Sequence, residues 1–255
     1  MTIISGIEGK SVIVTGGATG IGRAAVEILL RNGASVTVGS RRQAVGHELL
    51  RDLEQHADRL QFVTTDVSAE ADDQRLVSAA LERFGSLDGA VNSAGMPPRG
   101  VPIHQMSAEQ WAYSVSVNLT GLFFCVKYQM QAMMEAGRSG SIVVISSTAA
   151  VCTVPGSAEY VATKAGANGL VRAAALDAAA HQIRVNGIMP GAIQTPMFDA
   201  ARGDNADFEP VIAAIPVGRV GTPVEVGAAA AWLVSDQSTY VTGVTFAVDG
   251  GGSLD

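Results

Sequence analysis

The chain has 255 residues, 47% of them apolar and 16% charged, and 17 Lys and Arg against 24 Asp and Glu leave a formal net charge of −7. This apolar content excludes a disordered chain, two cysteines exclude a disulfide scaffold, and the acidic balance argues against a nucleic-acid surface, which needs a basic face. A chain of this length buries roughly 70–75% of its unfolded surface, so folding requires no metal or disulfide staple.

Short β-branched runs alternate with amphipathic helical stretches along the chain. Strands are predicted at Ser11–Thr15, Ser35–Gly39, Leu60–Thr65, Leu87–Asn92, Ser141–Ser146, Arg184–Met189 and Val244–Val248, and helices over 21–32, 43–57, 70–84, 107–136, 158–180 and 223–234. Most of the strands are continuous apolar runs, the mark of strands covered on both faces in a parallel sheet. With right-handed crossovers, the alternation gives a doubly wound, Rossmann-type α/β fold with a seven-stranded parallel sheet. No linker, composition break or internal repeat divides the chain, so one domain spanning 1–255 is expected.

The first strand runs into Thr15-Gly16-Gly17-Ala18-Thr19-Gly20-Ile21-Gly22, and a helix follows. Glycines there permit a tight turn and close backbone approach to a pyrophosphate, and the helix start supplies free N–H groups and the positive end of its dipole. The spacing is Gly-x3-Gly-x-Gly rather than the commoner Gly-x-Gly-x2-Gly. About 20 residues on, a binder of unphosphorylated adenine dinucleotide carries Asp or Glu for the ribose hydroxyls. Here Ser40, Arg41 and Arg42 stand in that place. A carboxylate would repel a 2′-phosphate, whereas Ser and Arg hydrogen-bond and neutralise it, so NADP(H) is favoured and NAD(H) is the alternative. The bland reading leaves both arginines on a solvated surface. At the end of the third strand, Asp66-Val67 is placed to meet the adenine edge, and Asp66 serves equally as a plain helix cap.

Further on, Tyr160 and Lys164 are spaced i, i+4 at a helix start and project from one face. A free tyrosine has a pKa near ~10. A nearby ammonium stabilises the phenolate and is expected to lower that value, tuning Tyr160 to give a proton to an alkoxide or take one from an alcohol. Ser147, just past the fifth strand, can hydrogen-bond the same substrate oxygen. The polar stretch 196–216 follows the sixth strand, contains Asp204, Asp207 and Glu209, and is the natural place for a mobile lid with short helical pieces.

Taken together, Thr15-Gly16-x3-Gly20-Ile21-Gly22, Asn92-Ser93-Ala94-Gly95, Asn118, Ser147, Tyr160-x3-Lys164, Pro190-Gly191-x3-Thr195 and Val248-Asp249-Gly250-Gly251 resemble the short-chain dehydrogenase/reductase family over nearly the whole chain and in the family's order. Ser93 departs from the pattern, which commonly has a second Asn there. The resemblance implies that Tyr160 is the general acid/base, that Ser147 orients the substrate oxygen, and that Lys164 lowers the Tyr160 pKa and binds the nicotinamide ribose. It implies that Asn118 holds a water joining Lys164 to solvent. Asn92, Ala94 and Gly95 are placed beside the adenine ribose, and Pro190, Gly191, Ile193 and Thr195 at the nicotinamide. It also implies a homotetramer built through the helices at 107–136 and 158–180 and the C-terminal segment.

Met96, Pro97, Val154, Pro155, Met197 and Phe198 are the candidate substrate walls, all uncharged, and they favour an apolar ketone or secondary alcohol. Arg99 and Arg202 are the side chains able to turn inward and add charge. Cys152 is read as a small hydrophobe, and His47, His56, His104 and His181 are given no catalytic part. No His, Cys and carboxylate cluster has metal-ligand spacing, so no metal site is expected. The small residues of 173–180 suit close packing. The N-terminus lacks the features of a secretory signal, and the most apolar stretch, 165–180, is broken by Arg172 and Asp177, so no membrane span is expected. Cys125 and Cys152 suit a reducing compartment, and the cytoplasm is expected. An NADP(H)-linked carbonyl reductase or alcohol dehydrogenase leads the readings. A 3-oxoacyl-carrier-protein reductase would need a basic docking patch, for which Arg138 and Arg172 are candidates. A dinucleotide sensor without turnover has no need of Tyr160, and a methyltransferase on a similar sheet has no need of the Tyr160–Lys164 pair.

Overall fold

A computed structural model describes residues 4–153, 155–202 and 209–254. In chain order the elements are β1 (Ser11–Thr15), α1 (Gly20–Arg31), β2 (Ser35–Ser40), α2 (Gln43–Asp52), β3 (Leu60–Thr64), α3 (Glu70–Phe84), β4 (Gly89–Asn92), α4 (Ala108–Val115), α5 (Gly121–Glu135), β5 (Gly140–Ile145), α6 (Ala158–Ala178), β6 (Ile183–Pro190), α7 (Pro196–Arg202), α8 (Glu209–Ala213), α9 (Pro223–Val234) and β7 (Thr245–Val248). The seven strands form one parallel sheet in the order β3-β2-β1-β4-β5-β6-β7. The chain's direction of winding reverses between β1 and β4, so a crevice opens above the C-terminal ends of those two strands.

Strand parity explains the two apolar layers. Val12 and Val14, Val36 and Val38, and Val143 and Ile145 face α1, α2 and α9. Ile13, Ala90, Ile142 and Val144 face α3, α5 and α6 on the other side. The five inner strands β2, β1, β4, β5 and β6 bury side chains both ways, which is why they read as continuous apolar runs, whereas the edge strands β3 and β7 are largely half-buried. Between α1 and α9 the helices touch at backbone distance. A Cβ on Gly227 would meet the Ala25 nitrogen at 2.9 Å and the Ala24 carbonyl carbon at 3.0 Å.

The helix expected over 107–136 is continuous, but its middle turn, Ser116–Thr120, is a π-helix between α4 and α5. Its start is fixed by a capping box, in which the Gln110 N–H donates to Ser107 Oγ and the Ser107 N–H donates to Gln110 Oε1. The helix expected to reach residue 57 ends at Asp52, and a 3-10 turn, Glu54–His56, follows. The segment 196–216 carries α7 and α8. Residues 203–208 lie outside the described residues, so Asp204 and Asp207 do too, as do Val154 and the Arg202 side chain. Among the described residues no helix is long and apolar enough to cross a membrane.

Candidate active site

The turn after β1 begins at Gly16, whose φ of +67° belongs to the left-handed region. A Cβ there would lie 2.8 Å from the Ala94 nitrogen, so the turn sits directly against the loop after β4. Gly22 lets α1 start against this turn, because a Cβ on it would strike the Gly16 carbonyl oxygen. Thr19, the N-cap of α1, makes no side-chain capping bond, and the first turn holds no acidic residue. The leading N–H groups of a 12-residue helix are therefore left to an anion from outside the chain.

Two contiguous cavities occupy the crevice and share Gly16, Thr19, Ala94, Gly95 and Met96 as their common floor. One, of about 230 Å³, runs over the ends of β2 and β3 past Ser40, Arg41, Asp66 and Val67. The other, of about 300 Å³, runs over β5 and β6 past Ser147, Tyr160 and Lys164, with Pro190, Gly191, Ile193 and Thr195 along its far side. A polar, partly cationic half, a glycine floor over a free helix start and a half carrying a phenol and an amine fit the adenosine, pyrophosphate and nicotinamide portions of a dinucleotide.

In the second half, Ser147 and Tyr160 line the same wall, and Ser147 Oγ accepts from the Ala149 N–H at 3.1 Å. Lys164, 7% exposed, donates from Nζ to the Ile145 carbonyl at 3.0 Å. Its Nζ is 5.6 Å from the Tyr160 ring centre. Burial pulls the Lys164 ammonium down to about 8. Burial also pushes the Tyr160 phenol above its ordinary value, and the Ser147 side chain draws it part of the way back. This corrects the expectation that Lys164 lowers the Tyr160 pKa. In the protein alone the ammonium is committed to a strand carbonyl and desolvation outweighs any attraction. The phenol is thus held protonated, as a proton donor must be.

Asn118 lies in the π-turn, and π-turns recur at functional sites. Its Oδ1 accepts from the Met96 N–H at 2.8 Å and its Nδ2 donates to the Met96 carbonyl at 3.2 Å. A Cβ on Gly95 would come within 3.2 Å of that Oδ1 and 3.8 Å of Lys164 Nζ. Asn118 therefore grips the loop after β4 from behind, and Gly95 lies between it and the lysine.

The structure brings together every expected site residue except three. Asn118 and Gly22 support the crevice without lining it, and Asn92 is turned away. The Asn92 side chain is buried and exchanges two hydrogen bonds with Gln129, at 2.8 and 2.9 Å. It braces β4 against α5 and does not line the crevice beside the ribose. Asp66 Oδ1 accepts from the Ser68 N–H at 3.0 Å and from its hydroxyl at 2.7 Å. That bond turns the chain towards α3, whose N-cap is Ala69. Met96, Pro97, Met197 and Phe198 line the apolar end, joined by Pro98, whereas Pro155 is exposed outside it. Arg99 does not enter the apolar end, since its guanidinium lies over the Tyr113 ring at 5.4 Å. Tyr113 and Val117, walls of the adenosine half, were not singled out from the sequence. Their i, i+4 spacing just before Asn118 was the available signal.

These features define an oxidoreductase site of the nicotinamide-dinucleotide class. A family model described as enoyl-(acyl carrier protein) reductase matches residues 16–253, and the chain belongs to the short-chain dehydrogenase/reductase family, whose members use NAD(P) cofactors. It is 43% identical over 249 residues to 2,5-dichloro-2,5-cyclohexadiene-1,4-diol dehydrogenase of Sphingobium indicum, across 97% of this chain and 98% of that one. It is 38% identical over 240 residues to cis-4-hydroxycyclohexanecarboxylate dehydrogenase of Sinomonas cyclohexanicum, across 94% of each. The crystal structure of levodione reductase superposes with a TM-score of 0.91 at 31% identity, covering 96% of this chain and 98% of that one.

Proposed function

We propose that this enzyme is an NADP(H)-dependent dehydrogenase/reductase that interconverts an apolar ring ketone and its secondary alcohol, with Tyr160 as general acid/base. The observation that carries this reading is that Ser147, Tyr160 and Lys164 line one cavity, which also has Met96, Pro97, Pro98, Met197 and Phe198 as walls. Bound over the glycine floor, the nicotinamide supplies or accepts the hydride. In reduction, Tyr160 Oη gives its proton to the carbonyl oxygen as the negative charge develops there, and Ser147 Oγ steadies that oxygen with a second hydrogen bond. In oxidation the phenol must first lose its proton, and it then takes the alcohol's. Lys164 holds the nicotinamide ribose, and Asn118 acts through the Met96 loop it grips.

The NADP(H) assignment is supported by Ser40, Arg41 and Arg42 bordering the adenosine half, with no carboxylate at the end of β2. The ring substrate is supported by the apolar walls and by the two six-membered-ring alcohols, a cyclohexadiene diol and a hydroxycyclohexane, in the relatives' names. Against an acyl-carrier substrate, Arg138 is bound to Asp88 at 2.5 Å, at the end where the strands begin and away from the crevice. The same reading has four copies assembling through α5 and α6, and a cytoplasmic location.

The test is oxidation of NADPH and NADH with a panel of cyclic and open-chain ketones. NADPH with an apolar cyclic ketone is expected to be preferred, and Tyr160→Phe is expected to lower kcat about 100-fold or more, the low end of general-acid contributions. Unaltered turnover in that variant removes Tyr160 as the proton donor, and a preference for NADH removes the cofactor assignment.

A further inference from the structure

We propose that Tyr113 is a positioning residue for cofactor choice: its phenol oxygen holds the Arg41 guanidinium where the 2′-phosphate of the adenosine ribose is to be met. This rests on the NADP(H) reading above and names the side chain that gives it its selectivity. Arg41 is the first residue after β2 and is exposed. A solvated arginine on a flexible stem has many rotamers to lose before it can grip a phosphate. Here its Nη1 donates to the Tyr113 hydroxyl at 2.9 Å, across 72 residues of chain. A guanidinium has five N–H donors, so four are left for a phosphate.

The chemistry of the partner matters as much as its position. A carboxylate in place of the phenol would fix Arg41 equally well and cancel its charge. A neutral phenol fixes it and leaves the charge for the ligand. The phenol is itself held, because the Arg99 guanidinium covers the opposite part of the same side chain, 5.4 Å from the ring centre. The Arg99 backbone N–H is in turn anchored at 2.9 Å to Oε1 of Glu159, a fully buried carboxylate next to Tyr160. Tyr113 therefore stands as a fixed post between two guanidinium groups, on a wall of the half that also presents Ser40 and Arg42.

The experiment measures dissociation constants of NADPH and NADH by nicotinamide fluorescence on the full-length protein, for the wild type, Tyr113→Phe, Arg41→Ala and the double variant. Tyr113→Phe keeps the ring under Arg99 and removes only the acceptor. It is expected to narrow the preference for NADPH over NADH by about fivefold, the order of one net hydrogen bond. Arg41→Ala is expected to narrow it at least as much, and the double variant no further than Arg41→Ala, since the phenol acts through the arginine. A merely structural role would weaken both cofactors in parallel. An unaltered ratio in Tyr113→Phe beside a narrowed one in Arg41→Ala overturns this inference and leaves the NADP(H) reading standing. An unaltered ratio in Arg41→Ala overturns both.

Discussion

Tyr160 and Lys164 sit one helical turn apart, and burial moves them in opposite directions, the phenol up and the ammonium down to about 8. Both shifts favour the neutral form, as desolvation must. A third buried group behaves likewise away from the crevice. Asp73 on α3 is 1% exposed, its Oδ1 accepts from the Cys125 thiol at 3.3 Å, and its Oδ2 has no hydrogen-bond partner among the described residues. Burial pushes its carboxyl from 3.8 up to about 7, against the pull of the Cys125 bond and with help from Asp72 and Asp66. A folded pKa above the unfolded one means that ionisation costs stability. That cost is absent below 3.8, grows as the pH rises and is complete above about 7. Asp73→Asn is therefore expected to raise Tm at pH 8 and to lose that advantage at pH 4, by about 2–4 °C for each kcal/mol relieved. A scan in which the two proteins differ equally at both pH values contradicts the assignment. Reading alone reached the Tyr160–Lys164 spacing because i, i+4 geometry is local. It missed the sign of the phenol's shift, because that depends on how much water the surrounding loops exclude and on Lys164 finding the Ile145 carbonyl.

Elements were legible to the extent that local pattern governs them. The seven strands and the glycine turn declare themselves by continuous apolar runs and by residues that tolerate the left-handed region. The π-turn at Ser116–Thr120 does not, because it differs from an α-helix only in hydrogen bonds that reach one residue further, and its composition, Ser-Val-Asn-Leu-Thr, is ordinary for either. Asn92 likewise read as a loop residue of the site and proved to be a brace, since only the tertiary fold brings Gln129 opposite it. The α1–α9 contact was hidden for the same reason, as a glycine inside an alanine-rich helix carries no label for its partner. Gly227→Ala is expected to destabilise the protein by about 1–3 kcal/mol, the cost of forcing a methyl group into a packed contact. Urea unfolding that shows no loss would mean that the two helices separate freely.

On the scale of the whole molecule, Phe123 on α5 and Leu176 on α6 remain 45% and 80% exposed in the single chain. Covering them in the proposed tetramer gives a light-scattering mass about four times that of the chain, and Leu176→Asp is expected to lower it. A wild-type mass of one chain rejects the assembly. The segment at 196–216 is rooted on both sides. The Thr195 hydroxyl caps α7 by accepting from the Phe198 N–H at 3.2 Å, and its methyl carbon lies 3.2 Å from where a Cβ on Gly20 would stand. At the far end the Val217 N–H donates to the Gly250 carbonyl at 3.1 Å. The near root therefore touches the glycine turn itself, and Met197 and Phe198 just beyond it line the same cavity as that turn. With the proposed dinucleotide in that turn, traffic through the crevice is expected to be compulsory in order, dinucleotide in first and out last. Initial-rate product inhibition should be competitive only between the oxidised and reduced dinucleotides, and a random pattern would show that the two ligands come and go independently.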